Sequence, residues 1–186
     1  MTKTIFIATT EPYSGKSIIA LGIVNMLLAK ARKVGYFKPI INDDPKGKRD
    51  VDIETIVQHF GLPIAYEDTF AFTRQQAMRQ MEGENRSDLI NTVIRKVKKL
   101  EETYDFTVIE GSDYLGEGTA FEFETNVSIA KNLNAPVVIV ISGENKTTAQ
   151  LVNTVQAVIR NFKSREVQVL AVVANKIRKN MVDDVQ

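Results

Sequence analysis

Three consecutive residues, Gly15-Lys16-Ser17, stand between an apolar run and an amphipathic stretch. This is what a phosphate group needs. A helix N-terminus offers backbone N–H donors, a lysine meets the β- and γ-phosphates, and a hydroxyl faces Mg²⁺. The strict pattern G-x-x-x-x-G-K-[ST] is not met, because Thr10 occupies the leading glycine position. An ordinary turn is the plain alternative. Further chemistry-bearing residues follow other apolar runs. Lys38 precedes Pro39, and its ammonium is expected at the carboxyl edge of a sheet, where α/β folds bind ligands. An exposed lysine before a turn is the alternative. Glu110 closes the run FTVI, where a carboxylate can hold Mg²⁺ directly or through water. Asp50 and Asp52 follow a basic loop, and each is either a second metal ligand or a helix N-cap. Asn175-Lys176 ends the last apolar run and either borders a nucleotide base or forms a polar turn.

The elements that position these residues alternate. Thr4–Thr9 reads as a buried strand and Ser17–Lys33 as a helix whose last cations favour the helix dipole. Val34–Lys38 reads as a strand stopped by Pro39, and Val51–Phe60 as a helix ended by Gly61 and Pro63. Residues 65–83 show no firm period and read as irregular or short helix. Ser87–Thr103 is helical with Ser87 as a possible N-cap, and FTVI at 106–109 is a strand. The Gly-rich stretch 111–119 is expected to be mobile. Phe123–Leu133, Pro136–Ile141, Thr147–Phe162 and Val167–Val173 read as helix, strand, helix and strand. Several strands are apolar throughout, which implies a parallel sheet covered on both faces, doubly wound through right-handed crossovers. Phe70, Phe72, Met78 and Met81 are expected in the core, and Glu117, Glu122 and Glu124 on a solvated surface. His59 reads as structural or exposed.

Composition narrows the function. The 186 residues are 44% hydrophobic and 25% charged, the balance of one ordinary globular domain. With 24 Lys+Arg against 23 Asp+Glu, binding to nucleic acid through bulk charge is not expected. The lack of cysteine excludes disulfide scaffolds, thiolate zinc sites and thiol nucleophiles, and fits a cytoplasmic location. One histidine makes His-based metal cages and Ser-His-Asp hydrolysis poor candidates. No run is long enough to span a membrane. The chain stops early in a polar stretch after a strand, so residues 1–186 are expected to form one domain, the N-terminal part of a longer protein.

The run TTEPYSGKS at 9–17, Tyr36-Phe37-Lys38-Pro39-Ile40 and Val108-Ile109-Glu110-Gly111 together resemble the dethiobiotin synthetase superfamily. Asn126–Pro136, which reads NVSIAKNLNAP, and the strand VLAVVANKI are most similar to the N-terminal P-loop domain of long phosphate acetyltransferases. The resemblance implies a P-loop, dethiobiotin synthetase-like three-layer sandwich with a doubly wound, mostly parallel sheet. It implies ATP held by Glu11, Ser14, Gly15, Lys16, Ser17, Ile18 and Asn175, with Asn175 on the adenine. Mg²⁺ would rest on Ser17, Asp52 and Glu110, and Lys16 and Lys38 would be the catalytic cations.

Two departures matter. Thr9 stands where the synthetases carry glycine, with a distorted phosphate loop as the expected cost, and Tyr13 stands where they carry glutamate. The function implied is a regulatory nucleotide-binding domain. Acetyl transfer between coenzyme A and phosphate would belong to an absent C-terminal catalytic domain, this domain's partner. The alternative is a stand-alone Mg-ATP-dependent ligase that activates a carboxylate. A partition-type ATPase is disfavoured, because the loop before Gly15 holds no lysine. An anion-binding module needs only the helix N-terminus. The resemblance also implies a homodimer with the ligand crevice near the interface.

Overall fold

The computed structural model describes residues 3–44, 46–82, 86–112 and 119–182. Six strands form one parallel sheet: β1 (Thr4–Thr9), β2 (Val34–Ile41), β3 (Phe70–Thr73), β4 (Phe106–Glu110), β5 (Val137–Ser142) and β6 (Val169–Asn175). Their order is β3-β2-β4-β1-β5-β6. The helices are α1 (Lys16–Leu28), α2 (Val51–Phe60), α3 (Arg74–Glu82), α4 (Arg86–Thr103), α5 (Thr119–Asn132) and α6 (Thr148–Lys163).

Period-two alternation divides the central strands β1, β4 and β5 and the first part of β2 between two cores. Ile5, Ile7, Tyr36, Val108, Val138 and Val140 pack against Ala20 and Val24 of α1 and Ile53 and Ile56 of α2. Phe6, Phe37, Ile109 and Ile139 face the other way, onto Leu89, Val93 and Val97 of α4, Ile129 of α5 and Phe162 of α6. This is the doubly wound, three-layer α/β architecture. From β1 the chain moves toward β2 and β3, and from β4 it crosses β1 to reach β5 and β6. The reversal lies at β1 and β4, whose carboxyl ends carry Gly15-Lys16-Ser17 and Glu110. Ligands bind such sheets at that point.

Several boundaries differ from those read in the sequence. Pro39 does not stop β2. Pairing with β4 ends at Phe37↔Ile109, while pairing with β3 runs through Lys38, Ile40 and Ile41. Lys38 donates its N–H to Thr69 on the β3 side. Adjacent residues of a parallel strand donate to opposite sides, so the N–H that Pro39 lacks falls where β4 has ended. Helix α1 ends at Leu28, five residues before Lys33. The Asp105 carboxylate captures the N–H groups of Arg32 and Lys33 at 3.0 and 2.9 Å and turns the chain into β2. The cations expected in its last turn therefore lie beyond it.

The segment without a firm period holds the short edge strand β3 and the polar helix α3. Helix α4 starts at Arg86, so Ser87 lies inside it rather than capping it. Phe72 is buried as expected, but Met78 is 50% exposed. Glu122 is not a solvated residue: it is buried in an ion pair with Arg74. Glu124 is half exposed and paired with Arg165. Glu117, the side chain of Met81 and most of the Gly-rich stretch lie outside the described residues.

Candidate functional site

The turn from β1 into α1 is built for a tight approach. Gly15 is the N-cap of α1 with φ +85°, a left-handed conformation that favours glycine. Among the described residues no side chain caps this helix. By contrast, Asp50 caps α2 by accepting from the N–H groups of Asp52 and Ile53, and Thr147 forms a capping box with Gln150 on α6. The first N–H groups of a helix have no intrahelical partner. At α1 the Ile18 N–H turns back to the Gly15 carbonyl at 3.2 Å, and no side chain among the described residues reaches the helix start as a cap.

The two threonines do not distort the loop. Thr9 stays in β1 and exchanges hydrogen bonds with the backbone of Glu11 through its hydroxyl. Neither Thr9 nor Thr10 has a positive φ; the left-handed positions fall on Tyr13 and Gly15. The expected strain is therefore not found at Thr9, because a strand conformation suits a β-branched residue.

Glu110 gathers the chemistry at the end of β4. Its Oε1 accepts from the Ser17 hydroxyl at 2.9 Å and lies 3.3 Å from Lys16 Nζ. Its Oε2 accepts from the Tyr36 hydroxyl at 2.5 Å. Lys16 Nζ also donates to the Gly111 carbonyl at 2.5 Å, and its side chain is only 3% exposed. Burial, then the Glu110 charge, pushes the Tyr36 hydroxyl well above the usual tyrosine range, so it remains a donor. Nothing in the sequence marks Tyr36 as a site residue on its own chemistry. The available signal was its position two residues before Lys38, on the same face of β2.

Lys38 does reach the carboxyl side of the sheet, but it is buried rather than exposed. Its Nζ lies 3.0 Å from Asp50 Oδ2 and 2.7 Å from Asp52 Oδ2. Asp50 is thus both a helix cap and an ion-pair partner, while Asp52 also lines the cleft beside Ser17. Glu11 holds the other flank of the loop. Its carboxylate accepts from the Ser142 N–H at 2.7 Å and pairs with Lys146 at 2.7 Å, a contact with no sequence signal. Asn175 sits against the loop: its Nδ2 donates to the Ser14 carbonyl at 2.8 Å.

A cleft of about 420 Å³ opens over the loop, lined among others by Glu11, Tyr13, Ser17, Ile18, Asp52 and Lys176. Gly15, Lys16 and Ser14 lie on its wall, and Lys38, Glu110 and Asn175 contact the wall residues Asp52, Ser17 and Ser14. Tyr13, 81% exposed, and Ile18, 73% exposed, form its rim. Tyr13 gives the cleft an aromatic edge.

Residues 3–186 match the family model AAA_26, described as an AAA domain. The chain is 42% identical over 176 residues to a phosphate acetyltransferase of Nitratidesulfovibrio vulgaris, covering 95% of this chain and 25% of that protein. It is 23% identical over 188 residues to an ATP-dependent dethiobiotin synthetase of Clostridium perfringens, covering 97% of this chain and 81% of that one. The chain spans about a quarter of the length of the curated phosphate acetyltransferases it matches. Among solved structures, the kinase domain of the Escherichia coli tyrosine kinase ETK matches 96% of this chain and 69% of its own at a TM-score of 0.56. At 15% identity, that likeness concerns the fold alone. The single parallel sheet agrees with these matches. The chain is a P-loop domain of the nucleotide-binding type that matches the N-terminal region of phosphate acetyltransferases, and it belongs to the AAA_26 family of AAA domains.

Proposed function

We propose that this chain is the Mg-ATP-binding regulatory domain of a longer, cytoplasmic enzyme that interconverts acetyl-CoA and acetyl phosphate. The observation that carries the reading is the 42% identity along 95% of the chain to a phosphate acetyltransferase, in a chain that keeps Gly15, Lys16 and Ser17 in place. Residues 1–186 form one domain, and acetyl transfer belongs to a C-terminal catalytic domain. The phosphates lie over the N–H groups of Gly15, Lys16, Ser17 and Ile18, with Ser14 and Glu11 shaping the loop. Lys16 turns from Glu110 toward the γ-phosphate, with Lys38 as the second cation behind the cleft. Asn175 holds the loop at the base-proximal side.

The oxygens present suit a hard cation. Ser17 Oγ and Glu110 Oε1 are 2.9 Å apart, and Asp52 lines the same cleft as Ser17. Among the described residues no group of three or more His, Cys, Asp or Glu side chains could hold a metal alone. Phosphate oxygens and water would complete the shell, as Mg²⁺ prefers. When bound, Mg²⁺ would neutralise phosphate charge. Dimerisation across the cleft follows from the superfamily likeness. No nucleic-acid or membrane partner is proposed; among the described residues no helix is long and apolar enough to cross a membrane.

The test uses the full-length enzyme. Acetyl-phosphate formation is followed with and without Mg-ATP, in the wild type and in Lys16→Ala. The reading expects an ATP response that the variant loses. No response in the wild type would overturn it. The likeness to dethiobiotin synthetase favours a second reading, a carboxylate-activating ligase. Phosphate release that rises with an added diamine or carboxylate would select that reading instead.

A further inference from the structure

The helix that enters β5 carries the most specific sequence signature of the chain, yet none of its residues belongs to the phosphate site described above. We infer that the first residue of that signature, Asn126, is a positioning residue for Lys16. The inference builds on the phosphate-site reading but concerns the seat of the lysine itself. Asn126 lies on α5 and is wholly buried. Its Oδ1 accepts the Ser112 N–H at 3.0 Å. That N–H belongs to the same peptide unit as the Gly111 carbonyl, which accepts from Lys16 Nζ. A peptide unit is planar, so fixing its N–H fixes the direction of its carbonyl. Asn126 and Lys16 therefore hold opposite ends of one peptide, and each hydrogen bond polarises the other.

Three further observations point the same way. The Gly111 N–H is tied to the Ile7 carbonyl at 2.9 Å, which anchors the turn to β1. A Cβ at Gly111 would stand 3.0 Å from Asn126 Oδ1 and 2.8 Å from Phe6, so the turn and the amide are fitted to each other. The Asn126 Nδ2 is buried and has no hydrogen-bond partner among the described residues. A buried, unsatisfied donor is costly, and a residue serving only to pack would be better as leucine. The acceptor oxygen is what this position retains at that cost.

The test compares Asn126→Leu, which keeps the bulk and removes the acceptor, with Asn126→Asp, which keeps the acceptor. Ile129→Val, in the same helix, controls for general loosening. In the purified protein, acetic anhydride labelling of each lysine is quantified by mass spectrometry with Lys131 as internal reference. Ser112 amide exchange and Mg-ATP affinity are measured alongside. Asn126→Leu should raise Lys16 labelling at least fivefold, speed Ser112 exchange and weaken Mg-ATP about tenfold. Asn126→Asp and Ile129→Val should stay within twofold of wild type in all three. Unchanged Lys16 labelling in Asn126→Leu, or equal effects of Leu and Asp, would overturn the inference. Faster Lys16 labelling in a protein whose wild type shows no Mg-ATP binding would support the positioning role and remove the nucleotide reading.

Discussion

Gly15→Ala separates two costs that the structure makes calculable. The first is conformational. Gly15 has φ +85° and ψ 23°, and an L-residue held in that left-handed region costs about 1–2 kcal/mol. The second is steric. The new Cβ would stand 2.2 Å from Asn175 Nδ2, so the amide must swing away. It then gives up its 2.8 Å hydrogen bond to the Ser14 carbonyl, worth about 0.5–1.5 kcal/mol. The variant should lose roughly 2–3 kcal/mol in urea unfolding, or about 5–10 °C in melting temperature for a chain of this size. Asn175→Ala alone should lose about 1 kcal/mol. In the double variant the hydrogen bond is lost only once. The two losses should then fall short of additivity by about 1 kcal/mol. Additivity within about 0.5 kcal/mol would refute the claim that Asn175 supports the loop through Ser14 against Gly15.

Other expected outcomes follow from single contacts. Tyr36→Phe removes one donor from the buried Glu110 carboxylate and should cost about 1.5–3 kcal/mol in urea unfolding at neutral pH. Lys38→Met leaves Asp50 and Asp52 facing each other without their cation. Breaking a buried pair costs about 3–5 kcal/mol, and because Asp52 is 32% exposed the low end is expected in thermal melts. Burial pushes the Glu101 carboxyl up, but hydrogen bonds from Lys98 and Thr4 and the charges of Lys98 and Lys3 outweigh it and hold it below the usual carboxylate range. Its contribution is therefore complete above about pH 4.3 and is lost as pH falls through the lowered folded value. Glu101→Gln should be less stable than wild type at pH 7, and the gap should close toward pH 3 in urea unfolding. A gap of constant size would contradict the assignment.

What was legible in the sequence was local. Gly15-Lys16-Ser17 could be read because the strand before it and the helix after it are both apolar on the expected period. Glu110 could be read because it closes the strand that precedes it. Pairings across the chain were not legible. Glu11 meets Lys146 across 135 residues of sequence, and that contact depends on β5 lying beside β1. Asp50 looked equally like a cap and a metal ligand. It is a cap that also neutralises Lys38, which no spacing rule foretells because the angle of α2 against β2 decides it. Propensity forbids proline where a ladder needs its N–H, and only the sheet order shows that Pro39 needs none. The threonines of the loop are a similar case. Which residues take the left-handed turn is set by the path of the loop, and those residues are Tyr13 and Gly15.

The central claim is a working phosphate loop with Lys16 as its cation. Isothermal titration of Mg-ATP into the wild-type chain and into Lys16→Ala, paired with melts at saturating nucleotide, tests it most directly. The account predicts one-to-one binding and a stabilisation of about 2.7 kcal/mol at one hundred times the dissociation constant, both abolished in Lys16→Ala. Binding of equal strength to both proteins, or no heat and no shift at millimolar Mg-ATP in the wild type, would contradict it.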